Sequence, residues 1–201
     1  MSVLLRPGVP VGAFGWLPLL GGLAVVRAVA GLGVEAVLKW PNDVLVPGAG
    51  VAVLAGWGTA RKVAGVLGDL VADAEPPAAV VGIGVNVAQP ADALPVPSAT
   101  SLAALGVAAE RVDVLVRVVR ELVALDDAWR AAGGDAVAAG LAAECAAVCA
   151  TLGSRVRVLR PGGDVLEGVA VSLAADGALR VADDAGAVRT VLAGDVEHVR
   201  V

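Results

Sequence analysis

Three short segments carry side chains whose types and spacing could do chemistry. The first is Lys39-Trp40-Pro41-Asn42-Asp43, set between apolar runs at 34–38 and 44–46. Tryptophan occurs four times in 201 residues and Lys plus Arg total fifteen, so this mixture is not generic filler. An ammonium can pair with phosphate, an amide can read a base or sugar edge, and a carboxylate can hold a cation. A sharp turn at Pro41 would aim Lys39, Asn42 and Asp43 into a cleft. A plain strand corner, with Asn42 and Asp43 bonding their own backbone, suits the same residues. The second segment is Arg61-Lys62-Val63-Ala64-Gly65-Val66-Leu67. It reads as a lysine aimed at an anion beside open glycine backbone, or as the solvated end of a strand. The third is Gly82-Ile83-Gly84-Val85-Asn86-Val87. Glycine at alternate positions clears one strand face, for a ligand or for a closely packed helix, and Asn86 follows as a single polar group. No third glycine opens a helix after it, so it is no dinucleotide fingerprint, and no Walker A motif is present.

The elements that must position these groups follow from pattern. Residues 17–32 read as an apolar helix with Pro18 in its first turn. Strands are expected at 34–40, 44–46, 51–56, 62–71 and 78–87, with a turn at 48–50. Ser98 or Thr100 is expected to cap a short helix ending near Gly106. The clearest helix spans 110–132, with Val112, Leu115, Val116, Val119, Leu122, Val123 and Asp126 at helical spacing, and Gly133-Gly134 ends it. Asp135 should cap a further helix running to about Leu152. From Gly153 the period becomes two, with strands at 155–160, 165–173, 178–182, 187–192 and 196–201. Turn chemistry joins them at Pro161-Gly162-Gly163, Asp176-Gly177 and Ala185-Gly186. Five short strands in so short a stretch imply a small barrel. The expected domains are therefore 1–150 and 151–201.

Composition limits the function classes. The chain is 58% hydrophobic but only 2% aromatic, so its core must be built from small side chains. A net charge of −5 without a Lys/Arg cluster argues against nucleic acid as partner. A mean hydropathy of +0.82 raises the membrane question. Residues 7–26 carry no charge, yet three prolines and five glycines argue against a continuous spanning helix and for a cytoplasmic protein with no membrane partner. Cys145 and Cys149, four apart, would share one helix face as small buried apolar residues.

Together the three segments resemble the biotin protein ligases. Lys39-Trp40-Pro41-Asn42-Asp43 looks like that family's most specific motif. Residues 61–67 are similar to its Arg-Lys-Leu-Ala-Gly-Ile-Leu segment, and residues 82–87 to its Gly-Ile-Gly-Ile-Asn-Val strand. Thr100-Ser101-Leu102 matches a helix start found there, and the stretch from Gly153 to Arg200 resembles the family's C-terminal SH3-like domain. The resemblance implies an α/β (α+β) fold: a class II synthetase-like mixed sheet with helices at 1–150, then the small β-barrel at 151–201. It implies ATP-dependent activation of biotin to biotinyl-5′-AMP and transfer to a lysine of a biotin carboxyl carrier domain of acetyl-CoA carboxylase or a related carboxylase. By motif position Lys62 would be the catalytic lysine. Lys39, Lys62, Gly65, Gly82 and Gly84 would bind biotin or the adenylate. Trp40, Asn42, Asp43 and Asn86 would bind ATP, with Asp43 a Mg²⁺ ligand. A monomer or a homodimer through an exposed sheet edge is expected.

The family also has a Gly-Arg-Gly-Arg loop ahead of its Ser-Val-Leu-Leu-Arg-Pro strand. This sequence opens at Ser2-Val3-Leu4-Leu5-Arg6-Pro7 and contains no such loop. On that ground the chain as written would adenylate biotin poorly or not at all. Two alternatives follow: a non-catalytic module that docks carrier domains or binds nucleotide, and a lipoate ligase-like enzyme.

Overall fold

The structure, a computed structural model, describes residues 1–71, 73–160 and 162–199. Pro161, Arg200 and Val201, which fall in an expected turn and the last expected strand, lie outside them.

Residues in the first half build a five-stranded sheet in the order β1-β5-β4-β3-β2. The strands are β1 (Ser2–Leu5), β2 (Val37–Lys39), β3 (Asp43–Val46), β4 (Arg61–Val71) and β5 (Ala78–Val85). Neighbouring strands pair antiparallel. Among the described residues, parallel pairing is confined to two isolated bridges, Leu38 with Cys149 and Lys62 with Ala99. The Trp40–Pro41 peptide between β2 and β3 is cis.

Residues 7–10 are not helical, as their prolines and glycine suggest, but a 3-10 turn at Val11–Trp16 then runs directly into helix α1 (Leu17–Ala30). Pro18 sits in the first turn of α1, where its missing N–H costs nothing. By length and composition residues 11–30 could cross a membrane, but 72% of the apolar window is buried inside the protein. It is the core helix. Gly21 and Gly22 let it lie close on the sheet: a Cβ at Gly21 would come within 2.9 Å of Val66, and one at Gly22 within 2.7 Å of Leu38.

Helix α2 (Arg111–Ala131) packs on α1 through Val114, Val118, Leu122, Leu125 and Trp129. This corrects most of the expected stripe, of which only Leu122 and Asp126 are buried. Val112, Leu115, Val116, Val119 and Val123 are exposed. Valine populates two adjacent stripes of this helix, and periodicity alone does not say which one faces the core. Trp129 decides it: its ring is fully buried and its indole N–H donates to the Gly134 carbonyl.

Three other expectations fail locally. Residues 51–56 form an irregular loop rather than a strand. Residues 102–106 make only turns, with the Ser101 hydroxyl, not Ser98 or Thr100, accepting the Ala104 N–H. The last helix of this half is short, α3 (Leu141–Ala147), because Gly140 takes a positive φ of 74° after the turn that Asp135 caps. Cys149 therefore lies beyond the end of α3. Both thiols are nevertheless buried and free, and burial pushes that of Cys145 up to about 12.

A second five-stranded antiparallel sheet follows in the order β10-β6-β7-β8-β9. It consists of β6 (Arg155–Leu159), β7 (Val165–Leu173), β8 (Leu179–Ala182), β9 (Val188–Val191) and β10 (Asp195–His198). Val156, Val158, Ala170, Leu179 and Val181 point inward with no exposed surface, as period two requires.

Candidate functional site

The site grows from one face of the first sheet. On β5, Val81 and Ile83 face the helices, so Gly82 and Gly84 face the other way. Gly65 on β4 pairs with Gly84, and Leu67 with Gly82. A Cβ at Gly82 or Gly84 would meet nothing closer than 3.8 Å, so the cleared face is open space. The resulting groove, about 360 Å³, is lined by Asn42, Lys62, Gly65, Leu67, Gly82 and Gly84 among others.

Strict alternation would put Lys62 on the opposite face from Gly65. The β3–β4 register shifts between Val44 and Leu45, leaving Val63 as an extra residue, and the bulge turns Lys62 back onto the glycine face. Its backbone is held from the other side: the Lys62 N–H donates to the Ser98 carbonyl, and the Thr100 N–H donates to that of Lys62, each at 2.8 Å. Lys62 Nζ lies 2.5 Å from Asp43 Oδ1, and Lys39 Nζ lies 3.9 Å from Asp43 Oδ2. The chain contains only two lysines, and both flank this one carboxylate. Burial lowers the Lys39 pKa; Asp43 opposes the shift and Lys62 adds to it.

The remaining expected residues are placed as follows. Asn42 lines the groove, and its amide donates to the Val66 carbonyl at 2.8 Å. The Asn86 amide donates to the Thr100 carbonyl at 2.9 Å, tying down the segment that grips Lys62. Trp40 is not gathered into the groove. Trp40 is 2% exposed, and its indole donates to the Gly177 carbonyl, in the turn between β7 and β8, at 3.0 Å. The Mg²⁺ role expected of Asp43 does not fit: its oxygens already face two ammonium groups, and no cluster of three or more metal-ligating side chains occurs among the described residues.

A second cleft, about 780 Å³, opens on the other side of Asp43. It is lined by Lys39, Asp43 and Trp57 on one wall and by Arg157, Glu167, Asp195 and Glu197 of the second sheet on the other. Trp57 is not among the residues expected from the sequence; its signal there is Gly56-Trp57-Gly58, a large ring between two glycines. Arg61, at the strand end that the sequence leaves open as solvated, is 6% exposed and donates to the Ala52, Gly58 and Ala60 carbonyls.

The family described as Biotin protein ligase C terminal domain matches residues 151–199. The biotin–[acetyl-CoA-carboxylase] ligase of Mycobacterium tuberculosis is 42% identical over 197 residues, which is 96% of this chain. Over nearly its whole length the chain is similar to biotin protein ligases. It spans 65% of the length of that relative. A bifunctional ligase/repressor of Bacillus spizizenii is 35% identical over 97 residues, covering 47% of this chain and 26% of the relative. Among solved structures, the biotin protein ligase of Aquifex aeolicus superposes with a TM-score of 0.77 at 25% identity, covering 98% of this chain and 81% of that one. The same ligase in complex with biotin and ATP gives 0.75 at 26% identity, covering 100% and 77%. The family's fold, an α/β sheet with helices followed by an SH3-like C-terminal domain, is the one described above.

Proposed function

We propose that this protein is a biotin ligase acting in the cytoplasm as a monomer or homodimer. Its reaction would be ATP-dependent activation of biotin to biotinyl-5′-AMP, followed by transfer to a carrier-protein lysine. The observation that carries this reading is the lysine-flanked carboxylate at the end of a glycine-cleared sheet face. A carboxylate oxygen of biotin attacks the α-phosphorus of ATP, and pyrophosphate leaves. The carrier amine then attacks the mixed-anhydride carbonyl and AMP departs. Charge builds on phosphate oxygens in the first step and on the carbonyl oxygen in the second. A cation fixed in advance lowers both barriers. Lys62, held by the bulge, by residues 98–100 and by Asp43, would be that cation. Lys39 supplies a second cation on the cleft side, where the nucleotide's phosphates would run. Leu67, 67% exposed on the cleared face, gives an apolar surface suited to the aliphatic chain of biotin. Magnesium would arrive on the phosphates of ATP rather than reside on the protein.

The test is biotin-dependent ATP–pyrophosphate exchange, with lipoate run in parallel. Exchange should require biotin and fall about 10²–10³-fold in Lys62→Ala. Exchange with lipoate alone overturns the reading in favour of a lipoate ligase-like enzyme, and none with either acid overturns the catalytic reading in favour of the non-catalytic module.

A further inference from the structure

We propose that Trp57 is a positioning residue for Lys39. This rests on the functional reading above, in which Lys39 meets phosphate. The Trp57 ring centroid lies 5.1 Å from Lys39 Nζ, while Asp43 Oδ2 lies 3.9 Å from the same nitrogen. The ammonium is thus bracketed by a ring and a carboxylate. Both side chains line the large cleft.

The contact is not an accident of a loose loop. Trp57 stands eighteen positions after Lys39, on a segment framed from within. Its N–H donates to the Leu54 carbonyl at 3.0 Å, and its own carbonyl accepts from Ala60 at 3.1 Å. The Gly50 N–H donates to the Thr59 carbonyl at 2.8 Å, closing the loop. Arg61 fills the interior and grips three of its carbonyls. Gly50 is required there, because a Cβ would overlap the Arg61 guanidinium. A ring on so determined a frame holds its partner where it is.

A free lysine side chain samples many rotamers, and ordering it on a ligand costs free energy. Trp57 removes part of that cost beforehand. It also keeps the ammonium on the first sheet's wall, away from Asp195 and Glu197 across the cleft, both of which attract it. The face of an aromatic ring attracts a cation, so phenylalanine retains the effect and aliphatic residues lose it.

The chain's two lysines give only two sets of ε-methylene signals in an NMR spectrum, and Lys39→Arg assigns them. In the unaltered protein the Lys39 ε protons should be shifted upfield by the ring. That shift should vanish in Trp57→Ala and survive in Trp57→Phe. Calorimetry with ATP should show affinity weakened about two- to fivefold in Trp57→Ala and retained in Trp57→Phe, with biotin affinity unchanged in both. Unshifted Lys39 signals in the unaltered protein overturn the inference without any variant having to fold. Equal ATP affinity in the unaltered protein and Trp57→Ala overturns the positioning role alone. Failure of the unaltered protein to bind ATP overturns the ligase reading, and the positioning role falls with it.

Discussion

Burial pushes the Lys39 ammonium below its ordinary value of 10.5, and attraction to Asp43 only partly offsets this. The charged form is therefore less favourable in the folded chain than in the unfolded one. Between the lowered value and 10.5 the unfolded chain binds more protons, so stability rises with pH across that window; below it, the penalty is present in full. Lys39→Met keeps the length of the side chain and removes the charge. It should raise the urea midpoint at pH 7, and the gain should shrink as pH approaches 10.5, while ATP affinity falls. A gain that is the same at pH 7 and pH 10 would show that charge burial is not its source. A cation held partly buried beside a cleft, at a cost in stability, fits a group presented to phosphate.

At the scale of elements, the decisive device is the bulge in β4. Period two was legible in the sequence, and so were the glycines of β5. The register shift at Val63 was not, because no local residue announces it. It is set by how β3 and β4 meet across the sheet. Lys62 was thus identified by its neighbours in sequence, while the face it occupies was visible only in the fold. The strand expected at 51–56 fails for a related reason: Val51 and Val53 look like strand residues, but the Ala52 carbonyl, with those of Gly58 and Ala60, is bonded to the buried Arg61 guanidinium instead of a neighbouring strand. Gly65 was read as clearance for a ligand, yet its nearest neighbour is Lys62 itself. A Cβ there would lie 3.0 Å from Lys62 Cε and Nζ and 3.7 Å from Asp43 Oδ1. Gly65→Ala should leave the fold intact, because the obstructing atoms end a flexible side chain. It should shift the ammonium from its seat and lower the exchange rate about 10- to 100-fold, the penalty expected for a misplaced catalytic group. Full exchange activity in Gly65→Ala would mean that Lys62 works from a different rotamer.

Across the whole molecule, the two sheets are joined by a pair of tryptophans. The Trp40 indole donates to the Gly177 carbonyl at 3.0 Å, and the Trp16 indole donates to that of Ala175 at 2.7 Å. Both acceptors sit in the single turn between β7 and β8. Beside them the Gly15 backbone comes so close to Asp176 that a Cβ at Gly15 would overlap the Asp176 carbonyl. The Trp40 backbone N–H is also used, donating to Thr151 Oγ1 at 3.0 Å. This fixes the width of the cleft that Lys39 and Trp57 share with Asp195 and Glu197, so the second sheet forms one wall of the cleft. Trp16→Phe and Trp40→Phe each remove one donor, fill most of the volume and leave a carbonyl without its partner. Each should cost about 1–3 kcal/mol in urea unfolding. Because both bonds hold the same turn, loss of the first should loosen the grip of the second, and the double variant should cost less than the sum by at least about 0.5 kcal/mol. Strict additivity would mean that the two indoles hold independent parts of the turn, and the cleft wall would then have two separate anchors.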